Sequence, residues 1–481
     1  MPPLLSNLYA QWRLGGSPGV DLREGSNGSE PSEKLLQAVW QNQRLQADKL
    51  HTSDGRTVKV LHPGFWNHEA GPDFRDAVIQ LDGAAALRGD VEIDLSGSGW
   101  RGHGHHSNPN YRGVILHVVW RRTTSCDDSL ATVAVCDAMD ASIDELRTWF
   151  GNGGAEASLE ILKGRCCSPL RSVGVEKWSE LLRQAAVVRF ESKSGQLLAR
   201  ARVVGWEQAL WEGLFGALGY KKNVWPMKAL AIAISAPRTV MRNDALSWQA
   251  HLLGLSGLLP PELPAGKKPA SEYVRQVWEI WWREQERLRD RIVAREAWNF
   301  SGLRPANHPQ RRLALAAHWL ARKDFVPDLE RWFAAHISES DLVESLLAKL
   351  QVQSDDFWAW HWTLNSKRNQ APQPLLGTQR TTDLAINVIL PWFQARASAV
   401  NDERLRGEAE RRYFAWPKAE DNAVLKLARA RLFGGVNVKE IRTASAQQGV
   451  LQIVRDFCQN SNALCDNCPF PDLVKAAERQ G

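Results

Sequence analysis

A chain of 481 residues with 44% apolar and 24% charged side chains is long enough to bury more than one core. Its composition is too ordinary for a disordered, fibrous or disulfide-stapled protein. Its 60 basic against 54 acidic residues leave +6, a balance that permits nucleic-acid contact without indicating it. No apolar run reaches the ~18 residues of a membrane span, and Met1–Leu14 lacks the basic and apolar segments of a secretory leader, so the expectation is a cytoplasmic protein with no membrane partner.

In chain order, residues 15–32 read as a Gly, Pro and Ser loop. Leu35, Leu36, Val39 and Trp40 then fall on one stripe of a helix, with Ser32 as its N-cap. Short β-type runs follow at Thr57–Leu61, Phe74–Leu81, Val91–Leu95, Val114–Trp120 and Thr132–Val135. Pro63-Gly64, Asp82-Gly83, Gly97-Ser98-Gly99 and a polar stretch from Gly102 to Gly113 separate them. Val114–Val119 is apolar at nearly every position, as in a central strand covered on both faces. Beyond about residue 170, helical stripes such as Trp178, Leu181, Leu182, Ala185 and Val188 replace the strand signals. The 22 tryptophans sit mostly at helix-like spacings and read as core anchors rather than base-stacking platforms. The expected architecture is an α/β domain over 1–150, a mixed sheet flanked by helices, then an all-α body over 170–440 and a C-terminal helix with a cysteine cluster over 441–481.

The chemistry-bearing residues lie in the first of these. Asp73 follows Gly71-Pro72 at the edge of a strand. Glu92 and Asp94, two apart on the next strand, project from one face while Val91, Ile93 and Leu95 take the other. Adjacent carboxylates repel unless a cation sits between them, and oxygen ligands suit Mg²⁺ or Mn²⁺. The plain alternative is a turn aspartate and two solvent-facing strand carboxylates. Just beyond lie His103, His105 and His106, with His117 on the apolar strand. A neutral imidazole there can serve as general base or metal ligand. Their plain readings are a polar loop and a hydrogen-bonded core histidine.

Pro72-Asp73 at one strand's start and Glu92 on the next, with a helix before and an apolar strand after, resemble the PD-(D/E)XK nuclease core. That resemblance implies a divalent metal held by Asp73 and Glu92; Asp94, on the same strand face as Glu92, is a further candidate carboxylate ligand. Asp94 stands where those nucleases carry a lysine, so the water-activating role passes to a histidine, His103 or His105. The block Asn67…Gly71-Pro72-Asp73-Phe74…Gly89-Asp90-Val91-Glu92-Ile93…Trp100…His103…His105…Tyr111…Val114-Ile115-Leu116-His117-Val118-Val119, with Leu303-Arg304-Pro305…Asn307…Pro309…Arg312 downstream, closely resembles a bacterial family of unknown function. Membership would imply a shared fold and site.

Seven cysteines are too few for a disulfide scaffold in a chain this long. Cys458, Cys465 and Cys468 cluster as C-x6-C-x2-C, a metal signal. The spacing is similar to the first three ligands of the iron-sulfur loop in helix-hairpin-helix DNA glycosylases. Val474 occupies the fourth position, which leaves Cys166 or Cys167, with Cys167 preferred, to complete a structural Zn²⁺ or [4Fe–4S] site. Unligated thiols are the plain reading, and Cys126 and Cys136 read as small core residues.

A phosphodiester substrate would need basic contacts. Arg283, Arg287, Arg289 and Arg291 read as a solvated helix face, Arg406, Arg411 and Arg412 form a second group, and Arg304, Arg311 and Arg312 read as the phosphate-contacting set. The leading expectation is a divalent-metal-dependent nuclease or nuclease-like phosphodiesterase acting on nucleic acid, DNA first. The alternative is a catalytically inactive nucleic-acid-binding or structural protein on the same fold. No Walker loop, dinucleotide fingerprint or nucleophile elbow is present, which argues against ATP hydrolysis, hydride transfer and serine hydrolase chemistry.

Overall fold

In the computed structural model, residues 7–15, 30–67, 71–121, 130–150, 170, 174–220, 222–235, 244–263, 271–300, 303–352, 355–420, 425, 428–429, 432–433, 441–458 and 470–479 are described. Ser32 caps helix α2 (Glu33–Asn42), which follows α1 (Leu8–Gly15), and its hydroxyl accepts a hydrogen bond from Leu35 N at 3.3 Å. Such a cap satisfies one of the helix's unpaired amides, so Ser32→Ala is expected to lower stability by about 1 kcal/mol, read from the denaturation midpoint. The apolar stripe of α2 lands as its spacing predicts: Leu35, Leu36, Val39 and Trp40 are all buried.

That stripe packs on a mixed sheet of six strands: β1 (Val58–His62), β2 (Phe65–Trp66), β3 (Phe74–Leu81), β4 (Leu87–Ser96), β5 (Val114–Arg121) and β6 (Thr132–Ala134). The order is β1-β3-β4-β5-β6, with β2 also paired to β3. The pairs β1–β3, β2–β3 and β3–β4 are antiparallel, whereas β4–β5 and β5–β6 are parallel. The apolar run over 114–119 is therefore an interior strand with a neighbour on either side, which its composition predicted. Phe74, Ile79, Val91, Ile93, Leu116, Val118 and Val133 form the core with the α2 residues and with Leu146 of α4 (Ile143–Phe150). Each such side chain, fully buried, contributes roughly 1.5–3 kcal/mol.

Two features depart from the expected runs. The two-residue β2 carries no signal of its own. Strand β4 begins at Leu87, earlier than the expected Val91, and Gly89 continues the ladder opposite Ala77. Glycine is required there for room: a Cβ would lie 2.4 Å from Ile115 Cγ2 and 2.7 Å from Gly113 O.

By packing, the chain divides into two units, one drawn from Met1–Asp82, Leu87–Ala199 and Phe393–Gly481 and the other from Gly83–Ala86 and Arg200–Trp392. The first holds the sheet and a second core. In it Tyr9 of α1, Trp178, Leu181, Leu182 and Ala185 of the long helix α5 (Val175–Val204), and Val450, Ile453, Phe470 and Val474 meet. The second is built of helices, among them Trp206–Leu218, Ala245–Leu255, Glu272–Leu288 and Pro309–Leu320. Trp40, Trp248, Trp319, Trp358, Trp392 and Trp416 are almost wholly buried, as core anchors should be. No described helix is long and apolar enough to cross a membrane.

The arginines correct the expected phosphate-contacting set. Arg311 is 1% exposed. Its guanidinium donates to the carbonyl of Trp358 and, at 2.7–3.0 Å, to those of His361, Gln373 and Pro374. Arg312, also buried, donates to Leu375 O, to the Tyr220 hydroxyl and to Asn307 Oδ1. Both serve the fold, and only Arg304 of that set is exposed. In the other groups Arg287 pairs with Glu284, Arg406 with Glu403, and Arg411 and Arg412 with Glu408.

Candidate functional site

The acidic residues meet because of the β3–β4 register. Phe74 pairs with Val91, which puts Asp73 beside the middle of β4. Its N–H donates to Glu92 Oε2 at 3.0 Å, and Ile93 N donates back to Asp73 Oδ2 at 3.0 Å. Gln37 of α2 donates through Nε2 to Asp73 Oδ1 at 2.8 Å and to Glu33 Oε1 at 3.2 Å. One carboxylate thus ties the start of β3 to both β4 and α2.

Glu92 and Asp94 share a face of β4 but do not look into solvent: they are 6% and 3% exposed. The connection from β4 to β5 covers them. It contains the single turn α3 (Gly99–Gly102) and then His103, His105 and Tyr111. Gly99 lies so close to Asp94 that a Cβ would meet the carboxyl carbon at 2.5 Å. Asp94 Oδ2 lies 2.9 Å from His117 Nε2, and Asp94 Oδ1 lies 3.3 Å from His103 Nδ1. His117 is the expected hydrogen-bonded buried histidine, at 2% exposure, but its partner is a site carboxylate.

His105 is 8% exposed. Its ring stacks on Tyr111 at 4.0 Å and 8° and meets the edge relation of Trp100 at 5.5 Å. Its Nδ1 is 3.3 Å from Glu92 Oε1 yet makes no hydrogen bond. Gly104 takes the left-handed conformation, φ 73°, between the two histidines. Asp94, His103 and His105 each offer a ligand atom, and these lie within 4.8 Å of one another.

Burial, with Glu33 next in effect, pushes the Asp73 carboxyl up to about 7; burial and the Asp73 charge push Glu92 up to about 9. Burial raises the Tyr111 hydroxyl to about 12 and lowers the His105 imidazole. Among the described residues no lysine or arginine pairs with Asp73, Glu92 or Asp94; their only ionisable partners within 4 Å are histidines.

The fold therefore brings together Asp73, Glu92, Asp94, His103 and His105, and adds Gln37, Glu33, Trp100, Tyr111 and His117. Gln37 was the overlooked member. Its signal is a polar side chain inside the continuously buried run Leu35–Trp40. Cys167, Cys465 and Cys468, with Cys126 and Cys166, lie outside the described residues. Cys458 ends the helical segment Val454–Cys458, and Cys136 is a half-buried thiol packed on the sheet core.

No curated protein and no solved structure matches the chain. Residues 33–422, from the first residue of α2 through the sheet and most of the helices, match the family described as Protein of unknown function (DUF2851), and the chain belongs to that family.

Proposed function

We propose that this pocket is the reaction centre of a divalent-metal-dependent hydrolase that cleaves phosphodiester bonds in nucleic acid. The observation that carries the reading is the convergence of two buried carboxylates, Glu92 and Asp94, a half-buried third, Asp73, and two imidazoles, with no lysine or arginine pairing with the carboxylates among the described residues. Buried like charges are strongly unfavourable, and a doubly charged cation offsets them. Carboxylate oxygens of Asp73, Glu92 and Asp94 would supply the donors for such an ion, and the orphaned Nδ1 of His105 lies 3.3 Å from Glu92 Oε1. The element order supports it too. A helix, an antiparallel β3–β4 pair with Asp73 and Glu92, and the apolar strand β5 after them follow the element order that the PD-(D/E)XK resemblance implies.

When bound, the ion supplies Lewis-acid polarisation of a phosphodiester and a more acidic water. The chain's own residues hold and orient. Asp73 fixes Glu92 through its backbone N–H, and His117 fixes Asp94. His103, with a side chain 59% exposed, is the imidazole able to pass a proton to solvent in place of the lysine that Asp94 displaces. A second reading, a nucleic-acid-binding or structural protein without catalysis, is favoured by that displaced lysine and by the engagement of Arg311, Arg312, Arg411 and Arg412 within the protein.

The test is incubation of the purified protein with single- and double-stranded DNA and RNA in Mg²⁺ or Mn²⁺. An Asp73→Asn Glu92→Gln variant serves as the control. Cleavage reduced by about 100-fold or more in the variant is expected, a size typical for loss of a catalytic group. Absence of any variant-sensitive cleavage in every combination would overturn the proposal.

A further inference from the structure

The all-oxygen ligand set does not account for the histidines. A carboxylate cluster meant for Mg²⁺ needs no imidazole, because that hard ion prefers oxygen and retains its waters. Yet here two imidazoles lie against the carboxylates. His105 is more than nine-tenths buried, and its Nδ1 has no hydrogen-bond partner. Leaving a buried nitrogen unsatisfied costs about 1–3 kcal/mol, so its retention asks for a ligand.

The surroundings are arranged as they are around metal-binding side chains. The His105 ring is clamped by Tyr111 on its face and by Trp100. Asp94 is oriented by His117 at Oδ2, which leaves Oδ1 turned to His103 Nδ1, 3.3 Å away. A ligating carboxylate anchored by a neighbouring donor is the usual outer support of a metal centre. The three ligand atoms lie within 4.8 Å of one another, with His103 on the solvent side of the set. Gly99 leaves the space that the Asp94 carboxylate occupies, which any side chain there would fill.

We infer that Asp94, His103 and His105 form a binding position for a first-row transition ion of the Zn²⁺ class, adjacent to the Asp73–Glu92 pair. Two nitrogens and one oxygen suit Zn²⁺ or its surrogate Co²⁺, leave a position open for water, and strongly disfavour Mg²⁺. The role of this ion in hydrolysis rests on the reading above; its binding does not, and is measured separately.

The experiment titrates metal-stripped full-length protein with Co²⁺, Zn²⁺ and Mg²⁺, following visible Co²⁺ absorption and calorimetric affinity, for wild type and the His103→Ala, Asp94→Asn and Asp73→Asn variants. His103 is exposed, so His103→Ala should leave the melting temperature of the metal-free protein unchanged. It is expected to weaken Co²⁺ and Zn²⁺ binding by at least about tenfold and to remove the visible bands of this site. Asp94→Asn should act likewise, and Asp73→Asn should retain the bands. Any Co²⁺ taken up by the C-terminal cysteines announces itself by near-ultraviolet thiolate charge transfer, which His103→Ala leaves in place. Equal Zn²⁺ and Co²⁺ affinity in wild type and His103→Ala, Mg²⁺ bound as tightly as Zn²⁺, or no ion beyond the thiolate-bound one would each overturn the inference. Imidazole-dependent binding without nucleic-acid cleavage would uphold this site and defeat the hydrolase reading. Cleavage that is lost in the Asp73→Asn Glu92→Gln variant, together with Zn²⁺ and Co²⁺ affinities unchanged by His103→Ala, would do the reverse.

Discussion

Arg311→Met is expected to destabilise the helical unit by about 4 kcal/mol while leaving affinity for nucleic acid unchanged in the protein that remains folded. The guanidinium is the shared donor for the carbonyls of Trp358, His361, Gln373 and Pro374, and thereby fixes the segment between Phe357 and Leu376 to the helix Pro309–Leu320. Burial, with the Arg312 charge beside it, lowers its pKa to about 10, so it stays charged at neutral pH. Methionine keeps a similar apolar stem but offers no donor, and the carbonyls are left dry and unpaired. The measurement is the urea midpoint, with Arg304→Ala, an exposed neighbour, as a control expected to move stability by no more than about 0.5 kcal/mol. An unchanged midpoint together with weakened nucleic-acid binding would restore the phosphate-contacting role that the sequence suggested.

At pH 8, Glu191→Gln is expected to be more stable than wild type by up to about 3 kcal/mol, and at pH 4 the two should match. Glu191 lies on α5; burial, then the Glu410 carboxylate, raises its pKa from 4.5 to about 7, and its Oε2 is buried without a hydrogen bond. The sign follows from proton counting. Between those two values the folded state holds a proton that the unfolded state has released, so the wild type's contribution is complete below the unfolded value and declines as pH rises through about 7. Glutamine is neutral throughout and contributes no such slope. Parallel pH profiles for the two proteins between pH 4 and 8 would refute the assignment.

What could be read from the sequence was local. The α2 stripe and the β3 run announce themselves because one period governs consecutive residues, and the spacing of Glu92 and Asp94 puts them on one face whatever lies above it. What could not be read depends on distant partners. That Gly89 must be glycine shows only once Ile115 is placed against it. Gln37 looks like a surface residue until Asp73 arrives beside it. Arg311 reads as a phosphate contact because a buried guanidinium is recognisable only once four carbonyls from another segment are counted around it. Tyr111 and Trp100 are legible in the sequence as members of the family block, but that they wall the His105 ring depends on how the connection folds over β4.

The parallel pairing of β4 with β5 has a consequence for how such a site can change. Parallel neighbours cannot be joined by a tight hairpin, so a long connection is obligatory between Ser96 and Val114. In this chain that connection carries Trp100, His103, His105 and Tyr111, while the sheet itself carries only the carboxylates and His117. Geometry of the sheet and identity of the chemistry are therefore encoded in separate stretches of chain. Residues of the connection can thus be exchanged without altering a strand pair. For an engineer, the same segment is the cassette to randomise when a new reactivity is wanted on this scaffold.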